Sequence, residues 1–298
     1  SVMLAAQSIQ TGEADIVVAG GMENMSLVPY YLLNGRTGFR MGHQQVTDGM
    51  VFDGLWDVYN NFHMGSAAEL CARECQISRA DQDAYAAESY RRAMAAIKGG
   101  KFTAEIAPVQ ITGKKGDVTA VSEDEEPGKG NPEKFPGLKP AFQKDGTVTA
   151  ANASSINDGA AAVVVMAAEK AKELGVKPLA KILGHATASK DPEWFTTAPT
   201  DAIRKLLGKI KLTPRDIDLY ELNEAFSVVS LINNRLLELD AAKVNVNGGV
   251  VALGHPIGAS GTRILVTLLY AMLDRSAKRG LASLCIGGGE AVAMVVER

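Results

Sequence analysis

Residues 262–298 read TRILVTLLYAMLDRSAKRGLASLCIGGGEAVAMVVER, and this stretch decides the fold. Its first part places apolar residues at helical spacing, which predicts an amphipathic helix. The run LASLCI is continuous and apolar, which is typical of a buried strand, and EAVAMVVER predicts a second strand directly after a glycine turn. The predicted order is therefore helix, strand, strand.

The same order occurs near the start of the chain. SVMLAAQSIQTG predicts a helix, and ADIVVAGG predicts a buried strand with MENMS as its polar exit. The equivalent second strand comes much later, in NDGAAAVVVMAAE at 157–169. The sequence thus predicts two similar halves, the first interrupted by an insertion of about 130 residues between neighbouring strands.

The chain opens inside the first of these helices. In the second half GHPIGASG leads into the helix, whereas no such lead-in precedes the helix at Ser1. Because a helix needs a cap and a first turn, we expect the equivalent segment to lie before Ser1, outside this chain.

The insertion is expected to be structured. Residues 63–75 and 78–97 predict consecutive helices, the second with Ser78 as its N-cap. Residues 123–140 are rich in charge, glycine and proline, which predicts an exposed loop. After residue 170, AKILGHATA predicts a strand, TDAIRKLLGKI a helix, IDLYELNEAF a strand running into a helix, and KVNVNGG a short strand. This alternation favours a mostly parallel sheet.

Composition limits the classes of function. The chain has 298 residues, 46% hydrophobic and 22% charged, with a net charge of −3. This is typical of a globular protein of about two domains. The charge does not favour nucleic-acid binding, and no apolar run approaches the roughly 18 residues of a membrane span. The three cysteines, Cys71, Cys75 and Cys285, make no even disulfide framework, so we expect a reducing, cytoplasmic compartment.

Three polar side chains follow predicted elements at one edge of the sheet. Cys285 ends the strand LASLCI before glycines whose N–H groups suit an oxyanion, the alternative being a buried inert thiol. Asn223 of NEAF is either a helix N-cap or a polar group directed into the crevice. His255, between Gly254 and Pro256 and ahead of a helix, is by itself either a solvated loop histidine or a functional imidazole. Because all three follow strands at the carboxyl edge, we expect them to meet in an active site.

Several motifs together resemble one family. GGMENMS, HMGSAAE, GTVTAANASSINDGAAA, NEAFS, NGGVVALGHPIGASG and CIGGGEA occur in this order along the whole chain. They are similar to those of thiolases, specifically the biosynthetic acetyl-CoA acetyltransferases. The resemblance implies an α/β thiolase fold: two similar halves with mixed sheets in a layered αβαβα arrangement, plus an inserted loop domain. The corresponding division is 1–26 and 155–176 for the N-terminal half, 27–154 for the CoA-binding loop domain, and 177–298 for the C-terminal half.

The resemblance also implies catalytic roles. The family's nucleophilic cysteine lies in a turn equivalent to 258–261 and would precede this chain; His255 would accept its proton before it takes an acyl group. Cys285 would be the base toward a second acetyl-CoA, with a nearby imidazolium favouring its thiolate. His255, with a water held by Asn223, would stabilise the enolate, and the N–H of Gly287 the thioester oxyanion.

Substrate contacts are implied as well, with no tightly bound cofactor. Coenzyme A thioesters would lie along the inserted domain, with Ser154 at the pantetheine. Lys134, with Lys129, would meet the nucleotide phosphates, although some relatives have an arginine on this loop where this chain has Pro127. The residues implied at the acyl pocket are His63, Met64, Phe195 and Phe226, the two phenylalanines being core residues in the alternative reading.

One subgroup of the family binds a monovalent cation. The positions that match its potassium site are Tyr90, Ala150, Ala151, Ala153 and Val251. Three of these would bind through backbone carbonyls, which sequence hardly constrains.

Three functions stay open at this point. The first is synthesis of acetoacetyl-CoA from two acetyl-CoA, or its cleavage, by a homodimer or homotetramer that binds neither nucleic acid nor membrane. The second is a degradative thiolase for longer 3-ketoacyl-CoAs, since chain length depends on pocket shape. The third is a non-catalytic CoA-binding or assembly subunit, against which the presence of Asn223, His255 and Cys285 argues. Condensing enzymes of fatty-acid and polyketide synthesis share the architecture, but usually pair the nucleophile with two histidines or a histidine and an asparagine.

Overall fold

The computed structural model describes residues 1–298. It has eight α-helices: α1 Val2–Gln10, α2 Met64–Glu74, α3 Arg79–Lys98, α4 Ala168–Glu173, α5 Ala198–Ile210, α6 Ser227–Leu237, α7 Val250–Leu253 and α8 Ile257–Asp274. Its twelve strands are β1 Ile16–Asn24, β2 Tyr30–Tyr31, β3 Thr47–Asp48, β4 Trp56–Asp57, β5 Phe62–His63, β6 Val109–Thr112, β7 Val118–Val121, β8 Asp158–Met166, β9 Lys181–Ser189, β10 Leu219–Leu222, β11 Arg279–Ile286 and β12 Glu290–Glu297. Short 3-10 turns and one π-helical turn, Met50–Leu55, join them.

Two sheets form the body of the fold. In the first, β1 pairs antiparallel with β8, with Ile16 opposite Met166, so the two strands predicted to be neighbours do pair across the insertion. The second has the order β10-β11-β12-β9. Its β10–β11 pair is parallel, whereas β11–β12 and β12–β9 are antiparallel. The expectation of a mostly parallel sheet is therefore wrong, because the three glycines after β11 allow only a hairpin, which returns an antiparallel strand.

Two helices lie between the sheets. Helix α8 contacts β1, β8, β10 and β11, and α1 contacts β1 and β8. Helix α5 covers the opposite face of the four-stranded sheet. Along β11 and β12, Leu281 and Val295 face α5, whereas Ala282 and Met294 face α8. Because both faces are buried, these strands are apolar without alternation.

The layers follow the order α5, four-stranded sheet, α1 with α8, and two-stranded sheet. On the outer face of the two-stranded sheet, Val18, Met22 and Val164 are exposed. Helix α1 precedes β1 as α8 precedes β11, so the repeat seen in the sequence is present in the structure.

Helix α8 has the length and apolar composition of a membrane span, contrary to the sequence-based expectation that no such segment exists. Half of it is buried within the protein. Leu268 and Met272 are fully buried against the sheets, which is the position of a core helix.

The two halves meet through glycines. Gly21 of β1 lies so close to the carbonyl of Gly258 that a Cβ at position 21 would overlap it. The N–H of Gly258 donates to Oε2 of Glu23 at 3.1 Å. The motifs GGMEN and GHPIGASG therefore pack backbone against backbone.

The inserted segment contains α2 and α3, as predicted. Ser78 caps α3 in a capping box with Asp81. Residues 123–140 are only partly the exposed loop that was expected, because two 3-10 turns within them pack against α3. Pro127 and Phe135 are buried there.

KVNVNGG forms no strand. Only Val244 pairs, with Tyr220 of β10, before the chain turns at Asn245 (φ 47°) and Gly248 (φ 85°). The prediction of a strand is wrong here because the segment must turn to pack against α3.

Candidate active site

A cavity of about 680 Å³ lies where α1, α8 and β11 meet the inserted segment. Ser1 and Val2, at the start of α1, form part of its wall. Most of the residues singled out in the sequence line it as well: His63, Met64, Ser154, Phe195, Phe226, His255, Cys285 and Gly287.

Strands β10 and β11 bring Asn223 and Cys285 to the same edge. The two strands are parallel, and the N–H of Asn223 donates to the carbonyl of Ser283 at 2.9 Å. Cys285 is buried near the end of β11. The sequence predicted that His255 follows a strand, and this is wrong. His255 follows the short helix α7 and Gly254, whose φ of 92° favours glycine.

The side chain of Asn223 contacts the imidazole of His255. Its Nδ2 lies 3.1 Å from Nε2 of the ring, and its buried Oδ1 has no hydrogen-bond partner within the protein. Helix α6 begins only at Ser227, with Phe226 at its N-cap. Asn223 is therefore not a helix cap, and the alternative interpretation, a polar group directed at the crevice, is the one that fits.

Ser260 determines which nitrogen of His255 carries the proton. Its Oγ lies 2.6 Å from Nδ1 of the imidazole and donates to the carbonyl of Pro256 at 2.9 Å. Because the single hydroxyl hydrogen is used in that bond, Ser260 accepts from Nδ1–H. Nε2 is then unprotonated, and Nδ2 of Asn223 donates to it. The imidazole thus presents a basic Nε2, which is what a proton acceptor requires.

Burial dominates the ionisation of the site. It lowers the pKa of His255 to about 4, with the positive charge of Arg263 acting in the same direction. It raises the pKa of the Cys285 thiol to about 12. Both groups are neutral at neutral pH, so the expected imidazolium beside a Cys285 thiolate is wrong for this structure.

Gly287 offers an unused donor. Its N–H makes no hydrogen bond within the protein, and the residue lines the cavity. Gly288 and Gly289 turn the chain back with φ values of 94° and 88°. A free backbone N–H beside a buried thiol is the arrangement that stabilises a developing oxyanion.

Comparison with known proteins identifies the family. Thiolase sequence models match the chain, "Thiolase, N-terminal domain" over residues 1–169 and "Thiolase, C-terminal domain" over residues 176–298. The chain belongs to the thiolase family. It is 56% identical to an acetyl-CoA acetyltransferase of Cupriavidus necator, over 100% of this chain and 76% of that protein. It is 53% identical to acetyl-CoA acetyltransferase 2 of Arabidopsis thaliana, over 100% of this chain and 74% of that protein.

A solved structure shares the fold of this thiolase. The crystal structure of the Bacillus anthracis acetyl-CoA acetyltransferase superposes with a TM-score of 0.96 at 44% identity, covering 100% of this chain and 75% of that one. The thiolase fold expected from the sequence is confirmed.

An aromatic wall borders the thiolase cavity. Phe142 stacks on the ring of His63 at 4.7 Å and makes an edge contact with Phe226 at 6.1 Å, which in turn lies 6.5 Å from Phe195. Phe195 and Phe226 are both core residues and cavity-lining residues. The sequence analysis did not identify Phe142 as a residue of the site. The only feature that pointed to it was a single aromatic side chain in the loop KPAFQKDG. His63 also caps α2, accepting at Nδ1 from the N–H of Gly65 at 2.9 Å.

The lysines implied at the nucleotide lie outside this cavity, and their contact with the nucleotide stays a prediction. Lys134 and Lys129 are exposed and do not line the cavity, and Lys129 pairs with Glu126 at 2.5 Å. Ser154 does line it, with its hydroxyl donating to the carbonyl of Ala225 at 3.0 Å. The structure therefore places Ser154 at the cavity wall and the two lysines outside it.

Some of the positions implied for potassium pack together in this thiolase. Tyr90, Ala151 and Val251 belong to one small apolar cluster. Ala150 is exposed, and Ala153 bridges to Phe226. Cation binding there stays a prediction.

The other two cysteines take no part in the thiolase site. The Sγ atoms of Cys71 and Cys75 lie 4.0 Å apart on α2, and neither residue lines the cavity. Burial raises the pKa of Cys71 to about 12, so this thiol is not a nucleophile at neutral pH.

Proposed function

We propose that the chain is the larger part of an acetyl-CoA C-acetyltransferase, which condenses two acetyl-CoA to acetoacetyl-CoA and coenzyme A, or carries out the reverse thiolysis. The observation that carries this proposal is the hydrogen-bonded series Asn223, His255 and Ser260, whose imidazole lines the same cavity as the thiol of Cys285. The relatives named acetyl-CoA acetyltransferase support the choice of substrate.

The acylation step needs a nucleophile. This role belongs to the cysteine that the resemblance to thiolases implies before Ser1. Ser1 lies at the cavity wall, and α8, the repeat of α1, starts with the turn that contains Ser260. In the complete polypeptide the thiol gives its proton to Nε2 of His255 and attacks the thioester carbonyl. The carbon–sulfur bond to coenzyme A breaks, and coenzyme A leaves as a thiol with the proton from His255.

The condensation step uses groups present in this chain. Nε2 of His255 first takes the proton of the Cys285 thiol, and the resulting thiolate removes a methyl proton from the second acetyl-CoA. The enolate oxygen is stabilised by the Nε2–H that His255 gained from Cys285 and by a water at the unpartnered Oδ1 of Asn223, and the enolate carbon then attacks the acyl-cysteine. The N–H of Gly287 stabilises the oxyanion of that intermediate, and the cysteine leaves as a thiolate that takes the proton back from Nε2 of His255.

The proposal also covers the position of the substrates, a bound cation and the oligomeric state. Acetyl-CoA and acetoacetyl-CoA lie against Ser154 and the aromatic wall, a potassium ion binds near Tyr90, and the protein is a cytoplasmic homodimer or homotetramer. A degradative thiolase for longer chains is less favoured by the names of the relatives. A non-catalytic subunit is less favoured because His255 and Cys285 line one cavity and Asn223 contacts the imidazole from behind it.

Intact-mass spectrometry of the complete polypeptide with acetyl-CoA tests the proposal. We expect a gain of one acetyl group in the wild type and in Cys285→Ala, but acetoacetyl-CoA only from the wild type. Cys75→Ser is the matched control and should both acetylate and condense. Absence of acetylation would remove the acyl-enzyme mechanism, and faster cleavage of longer 3-ketoacyl-CoAs than of acetoacetyl-CoA would favour the degradative alternative.

A further inference from the structure

Glu224, in the NEAF motif, is a buried carboxylate that the proposed reaction does not use. It is 1% exposed and lies against α3, away from the cavity. Its Oε1 accepts from the hydroxyl of Tyr85 at 2.8 Å and from Nδ2 of Asn245 at 2.7 Å. Its Oε2 accepts from the hydroxyl of Ser89 at 2.8 Å and from the N–H of Val251 at 3.1 Å.

These bonds join α3, the turn before α7, and α7 itself. The N–H of Gly249 donates to Oγ of Ser89 at 2.9 Å, which ties the turn to the same hydroxyl that binds Glu224. A Cβ on Gly249 would overlap the carboxyl group of Glu224, and a Cβ on Gly248 would collide with the backbone of α3. Gly249 of the NGG motif therefore makes room for this carboxylate, and Gly248 makes room for α3.

Helix α7 connects the carboxylate to the active site. It has four residues and is followed, after one glycine, by His255. Glu224 binds its first turn through the N–H of Val251. Asn223, immediately before Glu224, reaches the other way, with Nδ2 3.1 Å from Nε2 of His255. One carboxylate thus fixes both chain segments whose side chains meet at that nitrogen.

We propose that Glu224 is a positioning residue, which holds Asn223 and α7 in a fixed relation so that the amide of Asn223 stays within hydrogen-bond distance of Nε2 of His255. The inference rests on the proposed function, because it assigns Glu224 to the same site. Glu224 itself touches neither substrate nor reacting atoms.

Only a group that accepts at both oxygens fits this place. Asn245 cannot turn its amide, because Oδ1 accepts from the N–H of Leu222 at 2.8 Å and Nδ2 donates to the carbonyl of the same residue at 2.8 Å. The N–H of Val251 is a backbone donor with a fixed direction. In Glu224→Gln, the new NH2 group would face one of these two donors in either orientation of the amide.

The test compares Glu224→Gln with Glu221→Gln. Glu221 is also 1% exposed, lies on β10, and has one oxygen without a hydrogen-bond partner. Burial raises its pKa well above the usual value, so an amide there replaces a neutral acid of nearly the same shape. In the complete polypeptide we expect Glu224→Gln to lower kcat by about 100-fold, because small misplacements of reacting groups cost rates of this order. KM should stay within about twofold, and Glu221→Gln should change neither constant.

A second readout needs no turnover. In the complete polypeptide with nitrogen-15-labelled histidine, the Nε2 resonance of His255 reports its hydrogen bond to Asn223. We expect this resonance to shift in Glu224→Gln and to stay in place in Glu221→Gln. Ser89→Ala keeps the carboxylate but removes one donor, and should shift the resonance by less. It tests the same contact even if Glu224→Gln fails to fold.

An unshifted resonance in Glu224→Gln and Ser89→Ala would overturn the inference. So would a rise in KM at constant kcat, since that pattern belongs to a substrate contact. Failure of the proposed function is a separate outcome, seen as no acetyl transfer by the wild type. The histidine resonance still decides the role of Glu224 in that case.

Discussion

The hydroxyl oxygen of Ser260 lies 2.6 Å from Nδ1 of His255, five residues earlier in the chain. The distance is set by the chain itself, since Pro256 begins the first turn of α8 and its carbonyl accepts the serine hydrogen at 2.9 Å. Helix and imidazole are therefore oriented by one side chain. This contact explains why His255 stands directly before a helix rather than in an open loop.

Ser260→Ala should lower kcat without unfolding the protein. The variant leaves Nδ1–H of His255 buried without an acceptor, which costs about 1–3 kcal/mol. Because the lost contact orients the base, we expect kcat to fall by about 10- to 100-fold. Steady-state kinetics of acetoacetyl-CoA thiolysis measures this. Ser227→Ala is the matched control, since that hydroxyl is equally buried but has no partner, and it should keep full activity. Equal rates in the two variants would contradict the role of Ser260.

Stability should fall in acid because of His255. Its pKa is about 4 in the folded chain, against about 6.5 when unfolded. Between these values the unfolded chain binds more protons, so stability is complete above pH 6.5 and is lost as the pH falls toward 4, by at most about 3 kcal/mol. Burial lowers the pKa of His63 and His185 as well, which adds to the same slope.

Urea unfolding between pH 4.5 and 7.5 measures this slope. We expect His255→Gln to flatten it in part, because His63 and His185 still contribute. His43→Asn replaces an exposed histidine and is the control, with the slope of the wild type. A slope that is the same in all three proteins would mean that His255 is not buried in its neutral form.

The residues of the candidate site could be singled out in the sequence because each stands beside a strand end, a glycine or a proline, whose local conformation is predictable. Cys285 lies at the end of an apolar strand before glycines, and Asn223 comes directly after another strand. Once these two strands are paired in parallel, both residues must lie at the same edge of the sheet. The repeated order of helix, strand and strand in the two halves could also be predicted, because helix and strand periodicities are local features of the sequence. The sheet was predicted as mostly parallel, however, since alternation along the chain does not show that β12 returns through a hairpin.

The contacts that support those residues could not be predicted. Ser260 and Phe142 act through distances that only the fold sets, and nothing local distinguishes Glu224 from an ordinary helix-side carboxylate. Burial likewise decides the ionisation of Cys285 and His255, and the expectation of an imidazolium failed because the depth of the cavity is not encoded in neighbouring residues. Tertiary packing, not residue type, determines these properties.

Glu69 should be a major source of stability for the loop that contains Thr147 and Val148. Its carboxylate is 4% exposed and accepts from the N–H and hydroxyl of Thr147, both within 2.9 Å, and from the N–H of Val148 at 2.8 Å. Glu69→Gln would set an amide donor against these donors and lower the free energy of unfolding by about 3 kcal/mol. Urea denaturation measures this loss. Glu74→Gln, on the exposed face of the same helix, should change it by less than about 0.5 kcal/mol. Similar losses in both variants would refute the assignment.

Gly65→Ala should damage substrate binding, whereas Gly208→Ala should not. A Cβ on Gly65 would overlap the ring of Phe142, which must then leave its place in the aromatic wall. Because that wall borders the cavity, we expect KM for acetoacetyl-CoA to rise by about 10-fold, as for the loss of one good apolar contact. Gly208 lies near the end of α5 with nothing within 4 Å of its would-be Cβ, so alanine there fits the helix and should stabilise the protein by about 0.5–1 kcal/mol. Kinetics and thermal unfolding of both variants check the pair. An unchanged KM in Gly65→Ala would mean that Phe142 does not contact the substrate, since its displacement would then cost nothing in binding.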